Sequence, residues 1–175
     1  MNEYSDFDEF FKHDFAPLVG FLCKAGFDLE TAKDAAADSM VHALERWSTI
    51  DHPRAWVRKA AHRIARAQVQ RTEEGVRRAV KGDWSQSLDR ETERLISLLD
   101  ETAWVADLVN QLPERQRDVI VWALDGFSPA QIADHLGLPG TTVRSNLRHA
   151  RKRLEHLYRK QRPAHGLTEG GGDSD

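Results

Sequence analysis

Twenty residues, Ser128 to Leu147, constrain this chain more than any other stretch. Ser128 is placed to cap a helix, and Pro129 fits the opening turn, where the missing N–H would have had no partner. Gly137 supplies the backbone freedom that a tight turn needs. Small Ala133 lets a second helix approach closely, while Ile132, Leu136, Val143 and Leu147 are spaced to pack the two helices together. Ala133, Gly137 and Val143 act as one geometric set, and the segment reads as two short helices crossing through a compact turn.

The rest of the chain repeats apolar residues at helical rather than strand spacing, so the expected fold class is all-α. A first helix should begin near Ser5 or Asp6 and carry Phe7, Phe10, Phe11, Phe15, Leu18, Val19 and Leu22 inward, with Gly26 as its stop. A second runs from Asp28 to Trp47, with Ala36, Met40, Ala43, Leu44 and Trp47 on one side. Asp51-His52-Pro53 restarts the chain into a third helix that buries Val57, Ala60, Ala61, Ile64 and Ala65. From Gln70 to about Asp100 the pattern weakens, and Glu73-Glu74-Gly75, Gly82-Asp83 and Ser85-Gln86-Ser87 interrupt it. Order resumes at Trp104, Val105, Leu108, Val109 and Leu112; Pro113 opens a helix with Val119, Ile120, Ala123 and Leu124, and Gly126 ends it. The 175 residues therefore divide into a helical domain at 1–72, a partly helical or flexible linker at 73–100, a second helical domain at 101–160, and an acidic, Gly-rich tail at 161–175 expected to be disordered.

Net charge is −3 at pH 7, which looks wrong for a polyanion binder until it is resolved along the chain. Between Arg54 and Arg71 lie Arg54, Arg58, Lys59, Arg63, Arg66 and Arg71 with no acid among them. From Arg144 to Arg162 come Arg144, Arg148, Arg151, Lys152, Arg153, Arg159, Lys160 and Arg162, opposed only by Glu155. Two separate basic stripes imply two contacts with a nucleic acid. Cys23 is the single cysteine, with no Cys/His cluster beside it, so neither a disulfide framework nor a metal or cofactor site is expected. The apolar runs are short and the N-terminus has no secretory character, which predicts a cytoplasmic protein without membrane insertion.

The inward stripe Val143, Leu147, Ala150 and Leu154 turns Ser145, Arg148, His149 and Lys152 outward and sets Arg144 and Asn146 at the flanks, beside Thr142. Arg can make two hydrogen bonds to guanine in the major groove, and Asn can do the same for adenine. Arg151, Arg153, Arg159 and Lys160 lie further along and suit phosphates. On the third helix, the apolar side centred on Val57, Ala61 and Ile64 sends Lys59, His62, Arg63, Arg66 and Gln70 to the opposite surface, a track for separated or distorted DNA strands. Trp56 reads as core. The second helix presents Asp34, Asp38, Val41, His42 and Glu45, a face compatible either with docking on a basic partner helix or with plain solvation.

An enzyme needs a convergent site. The chain has no Gly-rich phosphate loop, no His-Glu-x-x-His pattern and no nucleophile elbow, and His42, His62, His149 and His156 read as scattered surface residues. Two binding functions remain: a stand-alone helix-turn-helix regulator of operators, and a factor acting with a polymerase.

The second is favoured by a resemblance. Leu112-Pro113-Glu114-Arg115-Gln116-Arg117-Asp118-Val119-Ile120, Gln131-Ile132-Ala133 and Gly140 to Arg151 resemble region 4 of the extracytoplasmic-function group of the sigma-70 family. Asp34-Ala35-Ala36-Ala37-Asp38-Ser39-Met40 resembles the region-2 segment that docks on the polymerase clamp, and Pro53 to Arg58 the start of the helix engaging the −10 element. The resemblance implies a promoter-specificity factor for core RNA polymerase. Thr142, Arg144, Ser145, Asn146, Arg148, His149, Arg151 and Arg153 would then meet the −35 duplex, Lys59, His62, Arg63 and Arg66 the −10 strand, and Asp34, Asp38, Val41 and His42 the polymerase. It further implies promoter DNA and core polymerase as partners, with an anti-sigma protein as a candidate. Ala37, Arg63, Ala67, Asn146 and His149 depart from residues frequent in the family, so its usual promoter sequences are not carried over.

Overall fold

The computed structural model of the protein describes residues 3–76 and 103–161, as helices joined by turns. Helix α1, Glu3–Lys24, begins slightly before Ser5 and buries Leu18, Val19, Phe21 and Leu22. It stops at Gly26, whose φ of 100° lets Phe27 N–H reach back to Leu22 O at 3.2 Å. Asp28 caps α2, Leu29–Leu44, accepting from Thr31 N–H at 2.9 Å. Ala32, Ala35, Ala36 and Ala43 are fully buried along α2, and these small side chains let α1 and α3 pack closely against it.

Helix α2 ends at Leu44 rather than Trp47. Trp47 instead opens a 3-10 turn, Trp47–Thr49, and its ring sits 5.1 Å from both Phe7 and Phe10 of α1. Aromatic packing thus takes Trp47 off the helical stripe, and Leu44, expected inward, is 39% exposed. Helix α3, Pro53–Val76, runs beyond the expected domain edge at 72, so the first residues of the expected linker are helical. The remainder of that linker and the tail past Gln161 lie outside the described residues.

The second unit comprises α4 at 103–110, α5 at Glu114–Leu124, α6 at Pro129–Leu136 and α7 at Gly140–Gln161. Val119, Ile120, Ile132, Val143, Leu147 and Ala150 form its interior. The two units do not stand apart. Trp122 of α5 is 1% exposed and meets Phe21 of α1 edge-on at 5.1 Å, which makes the two cores continuous. Close approach extends to Gly26, where a Cβ would run into the Arg117 guanidinium. Among the described residues no helix is long and apolar enough to cross a membrane.

Candidate nucleic-acid interface

The turn between α6 and α7 is built as its sequence demands. Ser128 Oγ accepts from Gln131 N–H at 3.3 Å while Gln131 Oε1 accepts from Ser128 N–H at 2.9 Å, a reciprocal capping box that satisfies two otherwise free donors. Gly137 adopts φ 64°, ψ 33°, a left-handed conformation that favours glycine, and Leu138 N–H closes the helix end on Ala133 O at 3.0 Å. Ile132 on one helix and Val143 and Leu147 on the other are buried, so the crossing is fixed by packing.

That packing decides which side of α7 is free. Val143, Leu147 and Ala150 are buried and Leu154 is partly so, while Arg144, Ser145, Arg148, His149, Arg151, Lys152 and Arg153 are exposed. Thr142 and Asn146 are half-buried at the flank, and Asn146 Nδ2 donates to Thr142 O at 3.0 Å. Asn146 is thereby held against its own helix by one of its two amide N–H donors, which leaves the second N–H and Oδ1 for a base. Further along, Arg159 is engaged by Glu155 at 2.5 Å, one turn back on the same exposed face.

The basic stripe of α3 has a different setting. Lys59 and Arg63 are exposed, as expected. Arg66 is instead paired across the units, its Nη2 donating to Glu114 Oε1 at 2.5 Å and to Asp118 Oδ2 at 3.1 Å. His62, read from sequence as a surface residue, has a side chain only 12% exposed, wedged between Phe27 at 5.6 Å and Asp118 at 3.8 Å. Burial, reinforced by the nearby Arg66 charge, pushes its pKa down to about 4 despite the opposing pull of Glu114, so the ring is neutral at pH 7. Burial likewise pushes the Asp118 carboxyl up, with Glu114 adding to it and Arg66 working against it.

Arg58 departs furthest from a solvated stripe: it is wholly buried. Its Nη1 and Nη2 hold Asp14 of α1 at 2.6 and 3.2 Å, and its Nε donates to Asp125 at the end of α5. Arg54 joins from the surface, donating to Asp125 O at 2.6 Å and to its carboxylate at 3.2 Å. Sequence reading missed these acids. Asp14 was detectable, because it falls four residues after Phe10 and four before Leu18, on the inward side of α1, where an acid needs a cationic partner. Asp125 and Asp118 gave no comparable signal. Between α3 and the α5–α6 pair lies a cleft of about 790 Å³, whose lining includes Lys59, His62, Arg63, Arg66, Trp122 and His135. On α2, Asp34, Asp38, Val41 and His42 are all exposed, with Val41 56% accessible.

Residues 102–154 match the family described as sigma-70, region 4, a span that contains the capped turn and most of α7. No curated protein is a sequence match. Two solved structures share the fold across both units. One is the structure of CnrH in complex with the cytosolic domain of CnrY, with a TM-score of 0.60 and 22% identity over 89% of each chain. The other is the sigma factor RpoE in complex with the anti-sigma factor NepR from Bartonella quintana, with a TM-score of 0.65 and 20% identity over 90% of this chain and 99% of that one.

Proposed function

We propose that this chain, whose residues 102–154 match sigma-70 region 4, directs core RNA polymerase to specific promoters as a factor of the extracytoplasmic-function group. The observation that carries this reading is the open face of α7: a capped, packed turn holds the helix so that Arg144, Ser145, Arg148 and His149 project together where base edges of a −35 duplex would lie. Arg151 and Arg153, farther from the helix start, hold the phosphates. In the first unit Lys59, His62, Arg63 and Arg66 engage the melted −10 strand, and Asp34, Asp38, Val41 and His42 dock on the polymerase. The role is non-catalytic, as it is for the family. The sigma factor RpoE is seen with an anti-sigma factor, and a protein of that kind is a candidate partner here.

Run-off transcription with purified core enzyme over a genomic promoter library tests the proposal. Promoter-dependent products that appear only when this protein is added are expected, and sequencing their 5′ ends would define the −35 and −10 elements. Absence of any such product overturns the reading.

A further inference from the structure

The cleft of about 790 Å³ between α3 and the α5–α6 pair has the size of a small-ligand pocket, and its charge is one-sided. Arg46, Lys59 and Arg63 line it, stand exposed, and have no carboxylate partner among the described residues. Arg66 adds a positive charge that it shares with Glu114 and Asp118, whereas His62 is neutral at pH 7 and adds none. No carboxylate lines the cleft among the described residues, and a hollow lined by one sign of charge concentrates the counter-charge. Two of its lining side chains also carry buried nitrogens without a hydrogen-bond partner, Trp122 Nε1 and His135 Nε2. Buried polar atoms of this kind are costly unless something satisfies them.

Trp56, Lys59 and His135 line a second hollow as well, of about 310 Å³, walled otherwise by residues 49–52 and Ala55. Lys59 is its one Lys or Arg. A strongly basic compartment thus adjoins a weakly charged one, and the half-buried indole of Trp56 belongs to both. We propose that the joined hollows form a binding site for a nucleoside polyphosphate, whose phosphates meet Arg46, Lys59 and Arg63 and whose base lies against Trp56. Guanidinium groups suit the phosphates because each offers a planar fork of N–H donors, and Lys59 adds a compact charge. With α3 as one wall and α5 and α6 as the other, there is room for one nucleotide rather than a run of them. The site goes beyond the promoter reading: Lys59 and Arg63 serve in both, but Arg46, Trp56 and α6 have no part in strand binding. Because both units supply side chains, bound nucleotide also raises thermal stability by mass action.

Calorimetric titration of the full chain with ADP, GDP, adenosine, inorganic pyrophosphate and a random-sequence single-stranded oligonucleotide tests the site. Saturable binding of ADP or GDP is expected, with pyrophosphate weaker by about tenfold, the loss expected for one base stacked on an aromatic ring, and adenosine weaker still. Arg46→Ala with Arg63→Ala, both on exposed side chains, should weaken ADP and pyrophosphate alike by about tenfold or more. Lys152→Ala with Lys160→Ala, which removes two exposed cations of α7, should change neither. Trp56→Leu should bring ADP down to the affinity of pyrophosphate; should that change unfold the chain, the ratio of ADP to pyrophosphate affinity in the parent protein decides the same point. His135→Phe keeps a ring against Trp122 and removes the nitrogen, so it should weaken ADP severalfold and leave the oligonucleotide unaffected. Four outcomes would overturn the proposal: no saturable nucleotide binding, pyrophosphate as tight as ADP, equal losses in the cleft variant and the α7 control, or binding of the oligonucleotide alone. Failure of the parent protein to support promoter-dependent transcription, with nucleotide binding intact, would instead count against the promoter reading and leave the site standing.

Discussion

Helices α3 and α7 look alike as sequence and differ as surfaces. Each carries a row of Arg and Lys opposite an apolar stripe, but on α7 the cations from Arg144 to Arg153 stand in solvent. On α3, Arg58 is sealed between Asp14 and Asp125, while His62 and Arg66 lie against Asp118. The difference comes from what the fold brings to each helix. Contacts around α7 that are close in sequence set its exposed face, whereas the acids facing α3 lie 44 to 71 positions away along the chain. A basic stripe offers all of its charge to a nucleic acid only where no carboxylate of the same molecule has taken part of it; on α3, Lys59 and Arg63 remain open while Arg66 is shared.

The sharpest way to break this comparison is to remove one cation from each helix. Arg58→Ala leaves the Asp14 and Asp125 carboxylates buried without their main partner, and uncompensated buried charge of this kind costs about 3–5 kcal/mol. Arg148→Ala, on an open face, should change stability by no more than about 0.5 kcal/mol. Urea denaturation of both variants measures the contrast. Equal, small effects would mean that Arg58 is as solvated as α7.

Next in size is a pH effect specific to α3. His62 is held neutral with a pKa near 4, below its ordinary 6.5, so the unfolded chain binds a proton more readily than the folded one between those values. Stability attributable to this ring is full above about pH 6.5 and is lost as pH falls towards 4, a total of about 3 kcal/mol at 1.36 kcal/mol per pH unit. Asp118, whose carboxyl is pushed up, contributes with the opposite slope, so the His62→Gln variant is needed to isolate the ring. Its unfolding free energy should vary less between pH 6.5 and 4 than that of the parent. An unchanged pH profile would show that His62 is free to charge in the folded state.

On α7 the corresponding prediction concerns sequence preference. Arg144→Ala and Asn146→Ala should each cost on the order of 1–3 kcal/mol at one base pair and relax the preference there, whereas Arg153→Ala should weaken all −35 sequences alike. Transcription from randomised −35 libraries separates these outcomes. A changed base preference with Arg153→Ala, and none with the other two, would reverse the assignment of reading face and phosphate face.

Local chemistry made much of this legible. Ser128, Gly137 and Pro129 announce their turn because each is chosen for a backbone reason that operates within a few residues. The α7 face followed from a single stripe, Val143, Leu147 and Ala150, whose burial the periodicity already implied. Trp47 and Leu44 were misplaced because aromatic partners on α1, distant in sequence, overrode the helical period at the end of α2. His62 was read as outward and Arg58 was counted in a basic stripe for the same physical reason: periodicity gives the face of a helix, not what a second unit lays upon it. The inward position of Asp14 was the one local mark of the buried cation, while Asp118 and Asp125 sit among ordinary helix-surface and helix-end residues.

The smallest expected effect compares the ion pairs themselves. Arg159 and Glu155 on α7 are separated by one turn, 76% and 61% exposed at their side chains, and fully available to water and salt. Such a pair is worth about 0.3–0.5 kcal/mol in a helix, since Coulomb attraction in water is weak and fixing two long side chains costs entropy. A double-mutant cycle on Arg159→Ala and Glu155→Ala should return that coupling and lose it at high salt. The same cycle on Arg66→Ala and Asp118→Ala, where Asp118 is 18% exposed, should give a larger coupling that survives salt better, because partly buried charges are less screened. Glu155→Gln also frees Arg159 for a phosphate, so it should steepen the salt dependence of duplex binding by less than about one counterion. If the two cycles give equal couplings with equal salt sensitivity, then the seam between α3 and α5 is as wet as the open face of α7, and the contrast between the two helices is one of geometry without energetic weight.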